Sequence, residues 1–185
     1  MASQANMHPY IILLRGIMPT GKNKIVMADL KKAVENAGFS NVSTYRNTGN
    51  IICTSHLDSS EIQQLIHQTI LTKLGVDVEV FVKTPEEIRH ALNSNPFPES
   101  YPISRVFYNF LQQQPPEGHL TQLLQMDFGE DEIKHQHPIL YSFIPVDASK
   151  SKLNNAFLEK QTGVRMTARN FNTLSALLEK AEKLD

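Results

Sequence analysis

A basic segment near the start of the chain carries the residues whose types and spacing are best suited to chemistry. Gly16 and Gly21 are followed by Lys22, Asn23 and Lys24. This spacing is one residue short of a phosphate-binding P-loop, in which glycines let backbone N–H groups wrap a phosphate, a lysine supplies charge and a hydroxyl binds magnesium. Asn23 lacks the hydroxyl, so the pattern disfavours a P-loop NTPase. A basic loop before a helix N-terminus can still hold an anion.

A predicted hairpin brings further polar groups to the same place. In the order strand, helix, two strands, helix, strand, the first strand–helix loop and the hairpin lie at one end of the unit. Arg15 and Lys22–Lys24 are therefore expected near Arg46, Asn47 and Asn50. We predict a candidate anion site here. The alternative is that these are solvated loop residues and that the asparagines serve turn positions with positive φ.

A second polar and basic cluster is predicted in the other half of the chain. The start of a helix near Lys152 is expected to meet the exit of a short last strand at 164–166. Arg165 lies on that strand, and Arg169 and Asn170 follow it. The alternative is that Thr167 or Asn170 caps the final helix and that the lysine is solvated. The sequence leaves open whether the two clusters form one site.

Other chemistry-bearing residues have simpler interpretations. His135 and His137 could chelate a metal from one strand face, but no third ligand is evident, so an ordinary polar hairpin is favoured. Cys53 reads as a small core residue. Tyr108 and Phe110 alternate like base-stacking aromatics of an RNA-recognition sheet, although such strands are commonly core. We predict no metal site and no cofactor.

Composition restricts the classes of function. The 185 residues include 41% hydrophobic and 20% charged residues, with a net charge of -1. Duplex-binding proteins usually show a basic excess, so any nucleic-acid or anion site must be local. A single cysteine excludes an intramolecular disulfide. No signal peptide or membrane span is predicted, which favours a soluble, cytoplasmic monomer whose residues 1–6 form a disordered leader.

Hydrophobic periodicity predicts the same series of elements twice. Each series reads strand, helix, hairpin, helix, strand. In the first series the apolar run 10–14 predicts a central strand, and Asp58 is predicted to cap a helix that ends at Gly75. A capping box at Thr84 begins a linking helix between the two series. The predicted fold class is α+β, with two tandem ferredoxin-like (βαββαβ) halves packed together and a C-terminal helix. The predicted divisions are a leader (1–6), a first half (7–83), a linking helix and turn (84–98) and a second half (99–185).

Several motifs together resemble a known family, the domain of unknown function 1697. The motifs are Tyr10–Ile17, Gly21–Lys24, Met27–Leu30, Thr48–Asn50, Asn95–Phe97, Ser151–Leu153 and Thr167–Asn170. The resemblance implies two ferredoxin-like halves and a bacterial source. The family has no established activity, so it implies no catalytic residue. Met18–Thr20 departs from the more usual Asn-Val-Gly, and Ser142–Asp147 departs from a glycine-rich segment.

These observations support three hypotheses of function. The first is a binding module for an anionic or phosphorylated ligand, either a nucleotide or single-stranded nucleic acid, at the Arg15–Lys24/Arg46–Asn50 end. The second is a small-molecule enzyme that uses a cleft between the halves, with Arg169 and Asn170 placing the substrate. The third is a protein–protein adaptor, for which an exposed apolar patch would be the sign. Whether the protein is an enzyme is left open.

Overall fold

The computed structural model describes residues 6–17, 20–21 and 23–184. Of the predicted leader, only Asn6 falls within the described residues, and it is exposed. The chain divides into two compact units. One contains the described residues up to Arg89 together with those from Ala176 onward, and the other is His90–Ser175. The sequence interpretation keeps 99–185 together, whereas this division places the end of the last helix with the first unit.

The first unit contains a four-stranded antiparallel sheet with the strand order β2-β3-β1-β4. Its elements are β1 (His8–Arg15), α1 (Met27–Asn36), β2 (Ser40–Tyr45), β3 (Asn50–Ser55), α2 (Ser59–Leu74) and β4 (Glu79–Lys83), and α3 (Pro85–Asn93) follows across the boundary between the units. Every strand neighbour is antiparallel, so this sheet is not the parallel sheet that a P-loop requires.

The apolar run predicted as a central strand is the middle of β1. Ile11–Leu14 is almost completely buried on both sheet faces. On one face, Ile12 and Leu14 pack in a core that also contains Leu30 of α1 and Ile62 of α2. Burial of each such side chain contributes about 1.5–3 kcal/mol to the hydrophobic stabilisation.

Two helix starts predicted from the sequence are confirmed by side-chain hydrogen bonds. Asp58 accepts from the amide of Glu61, and the Glu61 carboxylate accepts from the amide of Asp58, both at 2.9 Å. Thr84 and Glu87 make the same reciprocal pair, at 3.1 and 2.8 Å. These capping boxes satisfy amides that have no partner within the helix, and α2 ends at Gly75 as predicted.

One edge strand of the first sheet is irregular. The pairing of β2 with β3 shifts register between Ser40 and Ser43, which marks a β-bulge. Asn41 within the bulge has a φ of 52°, and its side-chain amide donates to the Thr54 hydroxyl at 3.1 Å. The contact fixes the bulge to the neighbouring strand β3.

The second unit repeats the order of elements seen in the first. Its sheet is four-stranded and antiparallel, with the order β6-β7-β5-β8. The elements are β5 (Val106–Leu111), α4 (Glu117–Leu124), β6 (Glu132–Gln136), β7 (Ile139–Phe143), α5 (Asn155–Thr162), β8 (Met166–Asn170) and α6 (Phe171–Glu182), the last of which crosses the unit boundary. The sequence predicts the last strand at 164–166, but β8 continues to Asn170, because pairing with β5 outweighs the local polarity of that segment.

The second core lies between this sheet and two helices. Phe107 and Leu111 pack beside Leu123 of α4 and Leu158 of α5. The other face of β5 presents Tyr108, which is 0% exposed. Its ring is part of the core and is not available for stacking on a nucleic-acid base.

None of the helices in residues 6–17, 20–21 and 23–184 is long and apolar enough to span a membrane.

Candidate anion-binding site

The turn between β2 and β3 lies directly against the end of β1. The Leu14 amide donates to the Gly49 carbonyl at 2.8 Å. Gly49 has a φ of +72°, and a Cβ atom there would lie 2.8 Å from Leu14 Cβ and 2.9 Å from Ile17 Cγ1. Only glycine fits this position without displacement. The first loop and the hairpin turn therefore meet at one end of the unit, as the order of elements predicts.

The described part of the first loop folds back towards the end of β1. The Lys24 amide donates to the Gly21 carbonyl at 3.2 Å. The Asn23 side-chain amide lies 3.7 Å from the position that a Cβ of Gly16 would occupy. Asn23 and Lys24 are both exposed. The predicted site residue Lys22 lies outside the described residues.

The hairpin side of the site differs in detail from the prediction. Asn50 is buried, and its side-chain amide donates to the Tyr45 carbonyl at 2.9 Å and to the Thr48 hydroxyl at 3.0 Å. It therefore stabilises the turn from within. Asn47 is exposed. The positive φ angles fall on Arg46, at 56°, and on Gly49, and not on the two asparagines.

Two cations converge on the ring of Tyr45 at this end of the unit. The Arg46 guanidinium carbon is 5.4 Å from the ring centroid, and the Lys180 ammonium of α6 is 5.9 Å from it. Among the described residues, neither forms an ion pair, and Glu179, adjacent to Lys180, pairs with Lys183 at 2.7 Å. We call Tyr45, Arg46 and Lys180 the Tyr45 cluster. It places two positive charges beside one ring in a chain of net charge -1.

Sequence reasoning missed Lys180, because it assigned the whole last helix to the other half of the chain. The amphipathic spacing of that helix predicts its existence but not the sheet edge that its final turn approaches.

Arg15, a predicted site residue, has an acidic residue opposite it in the sheet. It lies directly across from Glu79 in the β1–β4 pairing, where opposite charges attract. Arg15 therefore adds less positive potential than its type suggests.

In the second predicted cluster, Asn170 has a structural role and Lys152 is a solvent-exposed loop residue. The Asn170 side-chain oxygen accepts from the Thr173 amide at 3.0 Å and caps α6. This is the alternative that the sequence left open. Lys152 is exposed in the loop before α5, which begins only at Asn155 and is capped by Asn154.

The two arginines of that cluster lie at opposite ends of β8. Arg165 precedes the strand and pairs with Glu159 of α5 at 3.3 Å. Arg169 lies four residues further on, across from Tyr108, and donates to the Thr167 hydroxyl at 2.9 Å. Burial lowers the pKa of Arg169 to about 10. The structure does not gather Lys152, Arg165, Arg169 and Asn170 into one site.

The histidine pair on the second hairpin is a further polar feature. The ring centroids of His135 and His137 are 6.3 Å apart, and His135 Nε2 is buried without a hydrogen-bond partner in residues 6–17, 20–21 and 23–184. Burial lowers the pKa of His135, and the proximity of His137 lowers it further. Within the described part of the chain, no three His, Cys, Asp or Glu side chains are grouped to hold a metal ion.

Comparison with known proteins identifies the sequence family and a structural relative. Residues 7–141 match the model of a family described as "Protein of unknown function (DUF1697)", which confirms the resemblance. The solved structure of the conserved bacterial protein SP0830 from Streptococcus pneumoniae is similar, with a TM-score of 0.75 and 20% sequence identity over 95% of this chain and 99% of that chain. At this identity the likeness concerns the fold alone. A search of curated proteins finds no match.

Proposed function

The chain belongs to the DUF1697 family of proteins of unknown function, and we propose that this member is a binding module for a small phosphorylated ligand. The ligand's phosphate would lie at the hairpin turn of the first unit, beside the Tyr45 cluster. One observation carries the proposal: Arg46 and Lys180 converge on one ring, and neither is ion-paired among the described residues.

The two cations offer complementary ways to bind a phosphate. A guanidinium can donate two parallel hydrogen bonds to phosphate oxygens, and an ammonium supplies a compact charge. The exposed side chains of Lys24 and Asn47 are on the two segments that meet at Leu14 and Gly49. Asn23 and Lys22 belong to the same loop in sequence. A phosphate beside the Tyr45 ring would have both cations of the Tyr45 cluster available to it, since they lie 5.4 and 5.9 Å from the ring centroid.

The backbone of Arg46 supports the same proposal. A φ of 56° is unfavourable for a residue with a Cβ, and such conformations cost about 1–3 kcal/mol. Asparagine or glycine would occupy this position with less strain. Strained backbone conformations concentrate at binding sites. The conformational free-energy cost at Arg46 is therefore consistent with a guanidinium that binds a ligand.

The small extent of the basic surface indicates the size of the ligand. The basic groups are local and the whole chain is slightly acidic, so a small phosphorylated molecule is favoured over duplex nucleic acid. The enzyme hypothesis has less support. It relied on Arg169, which is largely buried, and on Asn170, which caps a helix.

At the level of the fold, we propose that both units are ferredoxin-like and arose by tandem duplication. The support is that each unit has the order strand, helix, two strands, helix, strand, and that β2-β3-β1-β4 and β6-β7-β5-β8 are the same arrangement. A cytoplasmic location remains a prediction of the sequence.

A thermal-shift and calorimetric screen tests the binding proposal. The probes are inorganic phosphate, nucleoside monophosphates, sugar phosphates and a short single-stranded oligonucleotide. A ligand present at a hundredfold excess over its Kd stabilises the native state by about 2.7 kcal/mol, which a thermal shift detects. We expect at least one phosphorylated probe to bind and its affinity to fall with added salt.

Matched variants assign the binding to the Tyr45 cluster. Arg46→Asn removes the charge and suits the positive φ, so the fold is retained. Lys180→Ala removes the second cation. Each is expected to lower the affinity about tenfold, since a charge-assisted hydrogen bond contributes about 1.5–3 kcal/mol. Lys31→Ala, which removes an exposed cation elsewhere on the unit, is the control. Unchanged affinity in the Arg46→Asn, Lys180→Ala double variant, or no binding by any probe, would contradict the proposal.

A further inference from the structure

The first unit has a groove between its two helices, on the side of those helices that contacts solvent. Its cavity volume is about 520 Å³. Ala33, Leu65 and Leu74 line it as apolar residues, and Lys32 and Lys73 line it as cations. We call this feature the α1–α2 groove. Its volume is within the 300–1,000 Å³ that is usual for small-molecule pockets.

The groove exists because the facing side chains are short. Ala33 of α1 and Ala37, which caps the C-terminus of α1, line one side of the groove, and Thr69 and Thr72 of α2 line the other. Both threonine hydroxyls already donate to carbonyls of their own helix, each at 2.7 Å. The wall is therefore less polar than its composition suggests, because these donors are already used.

The charges around the groove favour an anion. Among the described residues, neither Lys32 nor Lys73 forms an ion pair, whereas the adjacent Lys31 is paired with Glu35 at 3.7 Å. Asp29 is the single acidic side chain that lines the groove. The lining therefore carries one more positive than negative charge, next to an apolar surface.

We propose that the α1–α2 groove binds a small amphipathic anion, a molecule with an acyl or aryl body and one carboxylate, sulfonate or phosphate group. The apolar body would cover Ala33, Leu65 and Leu74. The anionic group would interact with Lys32 or Lys73 at the margin. This site is separate from the Tyr45 cluster, and its ligand differs in requiring an apolar body.

A pair of fluorescent probes tests the proposal on the full chain. 1-Anilinonaphthalene-8-sulfonate has an aromatic body with a sulfonate, and N-phenyl-1-naphthylamine has nearly the same body without the charge. We expect the sulfonate probe to bind in a ratio of one to one and more tightly than the neutral probe. Amide chemical shifts measured by NMR with the sulfonate probe should change at residues 29–37 and 65–74.

Three variants make the assignment specific. The Lys32→Ala, Lys73→Ala double variant should weaken the sulfonate probe about tenfold and leave the neutral probe unchanged. Ala33→Leu fills the groove and should weaken both probes, with its Tm as the check on folding. Lys31→Ala removes a cation from the same helix outside the groove and should change neither.

Three results would overturn the proposal. The first is equal affinity for the two probes, the second is unchanged sulfonate affinity in the double lysine variant, and the third is amide shifts located elsewhere. The lysines are exposed, so their replacement tests charge without a change in fold. Arg46→Asn should leave probe binding unaffected, which distinguishes failure of this site from failure of the phosphate site.

Discussion

The rings of Tyr108 and Tyr141 meet edge to face at a centroid distance of 5.3 Å, but among the described residues only the Tyr141 hydroxyl has a hydrogen-bond partner. Tyr141 donates to the Ala91 carbonyl at 3.0 Å. The Tyr108 hydroxyl is buried and finds no hydrogen-bond partner within the described part of the chain. Burial raises the pKa of Tyr108 to about 12, so this hydroxyl stays protonated at neutral pH.

Removing each hydroxyl should have opposite consequences. Tyr108→Phe eliminates an unsatisfied polar atom, so the free energy of unfolding should be unchanged or rise by up to about 1 kcal/mol. Tyr141→Phe leaves the Ala91 carbonyl without its donor and should lower the free energy of unfolding by about 1–3 kcal/mol. Urea unfolding of both variants measures the difference. An equal decrease in the free energy of unfolding of the two variants would contradict this prediction.

Because Gly49 lies against β1, replacing it should destabilise the fold by more than backbone strain alone. Gly49→Ala should lower the free energy of unfolding by about 2–4 kcal/mol, the sum of strain at positive φ and close contact with Leu14 and Ile17. Gly75→Ala is the matched control, because Gly75 has a φ of +68° and no atom within 4 Å of an added Cβ. It should cost only about 1 kcal/mol. A control loss as large as that of Gly49→Ala would show that the contact with β1 is unimportant.

The single thiol should be inert in the native protein. Cys53 is 0% exposed, and burial raises its pKa to about 12. The thiolate is the reactive form, so only about one molecule in ten thousand would carry it at pH 8. Ellman's reagent should react slowly with native protein and label one thiol per chain in denaturant. Rapid labelling of the native protein at pH 8 would contradict the buried placement.

The environment of His135 predicts a loss of stability in mild acid. Its pKa is lowered in the folded state by burial and by His137, so the unfolded chain binds more protons as the pH falls below about 6.5. Stability from this group is present above that pH and is lost as the pH falls through the folded pKa. His135→Gln should therefore lose less stability between pH 7 and pH 5 than the parent. The same substitution at exposed His56 is the control, and an identical pH dependence in parent and His135→Gln would refute the prediction.

Local sequence signals predicted much of the fold because they act over a few residues. Asp58 and Thr84 cap helices through partners three residues away. The apolar run Ile11–Leu14 identifies a strand buried on both faces. The repeated series of elements then limits which loops can share an end of a unit.

The parts that the sequence did not predict depend on contacts between distant residues. Lys180 reaches Tyr45 only because α6 ends beside the first sheet. Residue propensity favours positive φ at the asparagines of the hairpin, but in the structure the positive φ angles fall on Arg46 and Gly49. In the second cluster, strand pairing separates Arg165 from Arg169. Charge and spacing alone cannot distinguish these arrangements.

The bulge at Asn41 has a consequence for how this protein meets its own copies. Strand β2 is an edge of its sheet, where free amides and carbonyls could template a strand from a second molecule. The shift between Ser40 and Ser43 interrupts the regular spacing that such a template needs. A bulged edge is a poor template for edge-to-edge pairing, and the Asn41–Thr54 hydrogen bond holds this bulge against β3.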